Sequence, residues 1–394
     1  MRFDPAGLPA ARMAAAVAPH VQIVAPAPGD RVSGVVKVLA KVTGGTPSSV
    51  RISVGKPSLG LRTAVAVGGG LYSYDWDTTK KMVDNITPVA GDALYWIRAE
   101  ATISGTVIDS EWIPAVTANT PQTVPAGGWR EATRWAAKYD GTLAQWHTGQ
   151  SAVIGEKYAS LVDDPKLGAT RKVLRASVPD SARGDADQTN LTTVRFQSAA
   201  PRKLLEGDEI CVGFSFMPGT DFPTVYPKND PANPNGKDAT GYIALFQFYG
   251  PPYEQGSPLV FQAIRSDIHD PLDEFTINGN ELNPGDPGPL LSLPYNRGRW
   301  TDIVFRMHLS RSIEHGWMEI YTNQGEARKV QPVPLFNGFT RLPRVFLRAN
   351  SEAFRTDMQI YRVAGRIPSV TVHHTGHKVA QTVAEADPGS YRSA

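Results

Sequence analysis

The sequence predicts an all-β protein built from two successive sandwiches, and three observations carry that expectation. Short runs of alternating apolar and polar residues recur every 8–15 residues, no helix-period segment exceeds two turns, and Gly 36 and Pro 32 supply turns throughout. At 394 residues the chain exceeds the size at which one hydrophobic core keeps growing, so at least one domain boundary is expected.

Residues 1–19 are rich in Ala and Pro without a periodic face and read as an N-terminal arm. The alternating segments then begin: Val32–Val42, Ser49–Val54, Leu61–Val67, Leu71–Trp76, Ala93–Ala101 and Val107–Ile113. About seven strands in about 100 residues suit an immunoglobulin-like sandwich over 20–118. Within it Trp76 is expected in the core and Asp77-Thr78-Thr79 in a turn. Residues 119–128, Pro/Gly/Thr-rich, read as a linker.

The strand pattern resumes in 129–367 with Arg171–Val178, Thr192–Ser198, Asp208–Phe216, Tyr242–Tyr249, Leu259–Ile264, Trp300–Leu309, Gly316–Thr322, Arg344–Ala349 and Met358–Val363. Roughly ten strands without intervening helices predict a concanavalin-like two-sheet jelly roll. Two long Pro/Gly/Asp-rich loops interrupt it, Pro218–Gly241 and Asp267–Asn296, and loops of that length in a compact domain are usually functional or disordered. Residues 368–394 lose the pattern after Val372 and read as a C-terminal tail.

Charge and cysteine content exclude several function classes. Lys+Arg 40 against Asp+Glu 38 leaves a formal charge of +2, too balanced for a chain that binds nucleic acid by neutralising phosphates. A single cysteine, Cys211, excludes an intrachain disulfide and multi-Cys metal sites, and its apolar neighbours make it an inert buried thiol. No apolar run approaches a membrane span, and the sequence lacks a phosphate-binding Gly loop, a His-Glu-x-x-His and a Gly-x-Ser-x-Gly. No cofactor is expected. Asp230–Asp238 has the texture of a calcium loop, but Ala232 and Pro234 stand where oxygen ligands are needed, and His373, His374 and His377 are close enough in sequence to attract a transition metal. Trp129, Trp135 and Trp146, in polar surroundings, are candidates for stacking on sugars, whereas Trp300 and Trp317 belong to regular strands and are expected in the core.

Two resemblances add to this reading. Pro26–Val36, Tyr74–Thr79 and the strand Ala93–Ala101 resemble the bacterial Ig-like modules of secreted enzymes and phage tail proteins, which implies spacing or attachment. Val173-Leu-Arg, Arg195-Phe-Gln197, Leu205–Glu209, Phe214-Ser-Phe216, Gln247-Phe-Tyr249-Gly250 and Gly298–Val304 resemble, in that order, the jelly-roll polysaccharide lyases of the heparin-lyase and alginate/glucuronan-lyase group.

Such lyases abstract the proton beside a uronate carboxylate, which requires a carboxylate neutraliser, a base and an acid. The resemblance implies that Arg195, Gln197 and Gln247 neutralise and that Tyr249 stands where the family often has histidine. It places Arg348, in Phe346–Asn350, where the family's late strand supplies a lysine and a tyrosine, and no tyrosine occurs there. A base and acid could be rebuilt from Tyr249 with Tyr253 or His269.

The glycan-binding candidates are thus Arg195, Gln197, Gln247, Tyr249 and Arg348, with Tyr249 the catalytic candidate if turnover survives. The whole resembles a minor tail protein of a phage infecting a high-G+C bacterium. The expectation is a virion protein, outside the cell without a secretory signal, whose partners are a host surface polysaccharide, other tail proteins and further copies of itself. An active uronate lyase and a purely structural tail protein are the alternatives.

Overall fold

The computed structural model describes residues 18–55, 61–79, 94–117, 128–137, 139, 158–179, 193–199, 204–222, 242–249, 259–264, 274–279, 289–294, 296–313, 315–323, 329–335, 338–347, 353–363 and 369–389. The protein is all-β, as expected, with four antiparallel-dominated sheets arranged as two sandwiches.

In the first sandwich a four-stranded sheet runs His20–Ala25, Val35–Thr43, Leu71–Asp77, Val65–Gly68. It faces a six-stranded sheet in which Leu94–Ile103 is flanked by Ile113–Thr117 and Ser49–Val54. Strict alternation explains the core: Val38, Ala40 and Val42 point in from one sheet and Val50, Ile52, Ile97, Ala99 and Ala101 from the other. Trp76 is buried and meets Tyr95 edge-on at 5.2 Å. The Asp77 carboxylate accepts from the Thr79 N–H at 3.0 Å and its hydroxyl at 2.6 Å, which makes the expected turn.

The second sandwich sets a nine-stranded sheet against a seven-stranded one. The larger runs Ala159–Asp164, Gly168–Val178, Val370–Ala380, Glu209–Pro218, Thr301–His308, Trp317–Thr322, Gln331–Pro332. The smaller runs Thr193–Ala199, Ala353–Val363, Tyr242–Tyr249, Leu259–Ile264, Glu274–Gly279, Leu291–Pro294. Aromatic side chains join them: Phe214 of the larger sheet stacks on Phe246 of the smaller with centroids 4.2 Å apart, and Phe248 meets Phe305 edge-on at 5.5 Å. The two sandwiches also touch, since Trp96 of the first lies edge-on against Phe339 of the second at 5.8 Å. The 119–128 stretch falls outside the described residues except for Gly128, which bridges to Asp208.

Three sequence expectations are corrected. The segment from Pro368 is not a tail, because Val370–Ala380 is an interior strand of the larger sheet, paired to Gly168–Val178 and Glu209–Pro218. Its histidines and glycine masked the pattern: His374 and His377 are fully buried, and Gly376, at φ 65°, takes up a local irregularity beside a register shift in the partner strand. Helix Val383–Ala386 follows, with a Thr382/Glu385 capping box, and Gly213 lets it approach, since a Cβ there would stand 1.9 Å from the Ala386 carbonyl. The late strand is Ala353–Val363, whereas Val345–Leu347 is a buried irregular segment whose Phe346 N–H donates to the Ser310 carbonyl at 3.0 Å. Among the tryptophans, Trp135 packs against the core and meets His377 at 4.9 Å, and Trp317 is half-buried between the Arg306 and Arg341 guanidiniums. Trp300 is buried as expected; Trp146 lies outside the described residues.

Candidate functional site

The site face follows from strand register. Phe246, Phe248, Met358 and Ile360 of the smaller sheet are buried in the core, so their strand neighbours occupy the opposite face. Pairing then propagates that face from strand to strand. Arg195 stands opposite Tyr361 and Gln197 opposite Gln359; Gln247 pairs with Asp357 and Tyr249 with Arg355. Because 355, 357, 359 and 361 alternate with the core positions 356, 358 and 360, Arg195, Gln197, Gln247 and Tyr249 hold register positions on one face. Farther across the sheet that face continues through Gln262, Thr276 and Ser292, which are paired in sequence. Arg348, Tyr253, His269 and the Asp230–Asp238 segment lie outside the described residues.

Three positions escaped the sequence reading: Asp357, Gln359 and Tyr361. The signal lies in Met358–Val363, which alternates apolar and polar residues, whereas the lyase resemblance puts the late strand at Phe346–Asn350. Asp357 and Gln359 are buried, and the half-buried Gln247 amide donates to the Asp357 carboxylate at 3.4 Å. The Gln359 Nε2 has no acceptor among the described residues, an unmet donor in the middle of the face.

The strand that carries these groups is tied to the larger sheet from behind. Thr356, on its core side, shares a hydrogen bond of 2.9 Å with His377 Nε2. Burial lowers the pKa of His377 to about 3, with nearby His374 adding to the effect, and burial lowers His374 likewise to about 3. Both imidazoles are therefore neutral core groups. Among the described residues no cluster of three His, Cys, Asp or Glu side chains could hold a metal ion. The Cys211 thiol is buried and its pKa is pushed up to about 12 by desolvation, which leaves it unreactive as expected.

No protein-family model matches the chain, and no curated protein matches it. Among solved structures it is similar to an endo-β-1,4-mannanase from Thermotoga petrophila, at 20% identity over 26% of this chain and 20% of that one, with a TM-score of 0.21. A Cellulomonas fimi endo-β-1,4-mannanase gives 23% identity over 26% of this chain and 19% of that one, with a TM-score of 0.19. The chain thus spans about a fifth of the length of these mannanases. A structure of carbohydrate-binding modules from the β-sandwich superfamily aligns over 93% of this chain and 99% of its own, at 9% identity and a TM-score of 0.23. Likenesses of this size carry no argument about function.

Proposed function

We propose that this chain is a glycan-contacting protein of a phage tail, whose outer face on the smaller jelly-roll sheet rests against a host surface polysaccharide without strong catalysis. The observation that carries the reading is the register that gives Arg195, Gln197, Gln247 and Tyr249 one face with Gln359 and Tyr361. Amides, guanidiniums and phenols in a row across adjacent strands match the hydroxyls and ring faces of a sugar chain. The tail assignment is supported by the order of modules, Ig-like then jelly roll, and by a disulfide-free chain. Affinity electrophoresis in gels containing host-wall polysaccharides tests glycan contact: a retarded band supports it, and migration indifferent to every polymer overturns it. Antibodies against the chain labelling tails of virions that carry it test the location.

One observation favours the second reading, an active uronate lyase. Tyr361 stands opposite Arg195 in register, so the face holds a tyrosine position near a candidate neutraliser although Phe346–Asn350 supplies none. Ultraviolet absorbance of an unsaturated product, formed from alginate or glucuronan and lost in Tyr361→Phe, would promote that reading.

A further inference from the structure

We infer that the Val65–Gly68 edge of the first sandwich is a docking strand for a second copy of this chain, which pairs with it antiparallel and continues the four-stranded sheet across a two-fold axis. Val65–Gly68 ends that sheet and pairs on one side, with Leu71–Asp77. All four of its residues are exposed, Val65 at 67% and Val67 at 52%, so the open side faces solvent. A strand left open in this way offers unpaired N–H and C=O groups to any other strand, and proteins guard such edges with charge or proline. The strands that end the other three sheets are guarded: they contain Arg31, Arg62, Asp163, Pro332, Arg195 and Pro294. The other end of the same sheet, His20–Ala25, runs straight into Pro26. Ala64–Gly70, which reads Ala-Val-Ala-Val-Gly-Gly-Gly, contains neither charge nor proline. Its one irregularity is a bulge between Ala66 and Gly68, which leaves Val67 without a ladder partner on Leu71–Asp77.

The strand itself selects a second copy as the occupant. Pairing about a two-fold requires a surface that complements itself. Val65-Ala66-Val67 reads the same in both directions, so antiparallel pairing centred on Ala66 sets Val65 of each copy opposite Val67 of the other. With no charge in Ala64–Gly70, two identical strands meet without like-charge opposition, and on the adjoining strand Asp75 is already matched by Lys37 at 2.9 Å. The turn that ends the strand leaves room for approach, since a Cβ at Gly68 or Gly69 would meet nothing within 4 Å. A strand this short buries less than the roughly 1,200 Å² of a standard interface, so the dimer is weak and forms as concentration rises.

Sedimentation velocity of the full chain between about 1 µM and about 500 µM should show a monomer giving way to a dimer. Val65→Lys combined with Val67→Lys puts lysine against lysine at both crossings and should raise the dimer dissociation constant at least about tenfold. Both positions are exposed, so circular dichroism should stay native. Mixing that variant with Val65→Glu combined with Val67→Glu should restore dimers, and Ala66→Cys should crosslink two copies under mild oxidation whereas the equally exposed Val107→Cys should not. The native Cys211 is buried and does not compete. A wild type that stays monomeric throughout overturns the proposal; if that monomer nevertheless binds a synthetic Thr-Val-Thr-Val-Thr-Val peptide, the edge takes a strand of another protein. A dimer indifferent to the paired lysines, without the Ala66→Cys crosslink, overturns this edge as its seam.

Discussion

Individual side chains in the second sandwich set its response to acid. His374 and His377 are buried with pKa values lowered to about 3, and desolvation lowers His373 as well. In the unfolded chain each imidazole protonates near pH 6.5, so below that value, and for His374 and His377 down to about 3, the unfolded state binds more protons than the native state. Their contribution to stability is therefore complete above about pH 6.5 and declines as pH falls, with a limiting slope of about 1.4 kcal/mol per pH unit per histidine. Urea denaturation at pH 7, 6, 5 and 4 should show this decline. His374→Phe, which puts an apolar ring in the same apolar setting, should flatten it by up to one histidine's share; an unchanged slope would contradict the burial of that imidazole. Cys211, with its thiol pushed up to about 12 by burial, should resist a disulfide reagent at pH 8 until denaturant is added.

At the scale of elements, strands with a strong apolar pattern were legible. Val35–Thr43 and Leu71–Asp77 agree with the runs read from sequence through alternation, whereas Glu209–Pro218 and Tyr242–Tyr249 agree through near-continuous apolar letters, with Ile210, Val212, Phe214 and Phe216 facing the main core and Cys211 and Met217 packed in smaller clusters on the other side. Val370–Ala380 was not, since a strand in the sheet interior buries His374, Thr375 and His377 along with Val370, Val372 and Val379, and polar letters in the sequence concealed the burial. The candidate face was half legible for a related reason. Arg195, Gln197, Gln247 and Tyr249 were candidates from local motifs, and strand register gives them one face, whereas Asp357, Gln359 and Tyr361 become their neighbours only through long-range pairing that no local window contains.

Deleting residues from Pro368 onward should abolish folding rather than trim an appendage. The three buried valines alone contribute about 1.5–3 kcal/mol each, against a total stability of about 5–15 kcal/mol, and the sheet would be left split between two unpaired strands. Soluble expression with native circular dichroism would contradict this. Gly213→Ala should cost stability in the same region, because its Cβ would meet the Ala386 carbonyl at 1.9 Å and displace helix Val383–Ala386.

For the whole molecule, the two sandwiches meet through Trp96, a fully buried residue of the first that packs edge-on against Phe339 of the second. Removing a buried tryptophan typically costs about 3–5 kcal/mol, and here the loss falls on a contact between sandwiches as well as on a core. Trp96→Ala should therefore uncouple them, so that calorimetry shows two unfolding transitions, or a broadened one, where the parent shows a single transition. An unaltered endotherm would mean that the contact does not couple them.

The central claim, that the outer face of the smaller sheet holds glycan, is tested most directly by removing its candidate contacts on two separate strands at once. Arg195→Ala combined with Gln247→Ala, compared with the parent in affinity electrophoresis against host-wall polysaccharide, should lower binding by at least about tenfold while circular dichroism stays native, with a lower melting temperature expected because the buried Asp357 carboxylate loses the Gln247 donor. Retardation of the folded double variant equal to that of the parent would place glycan contact elsewhere and contradict the account.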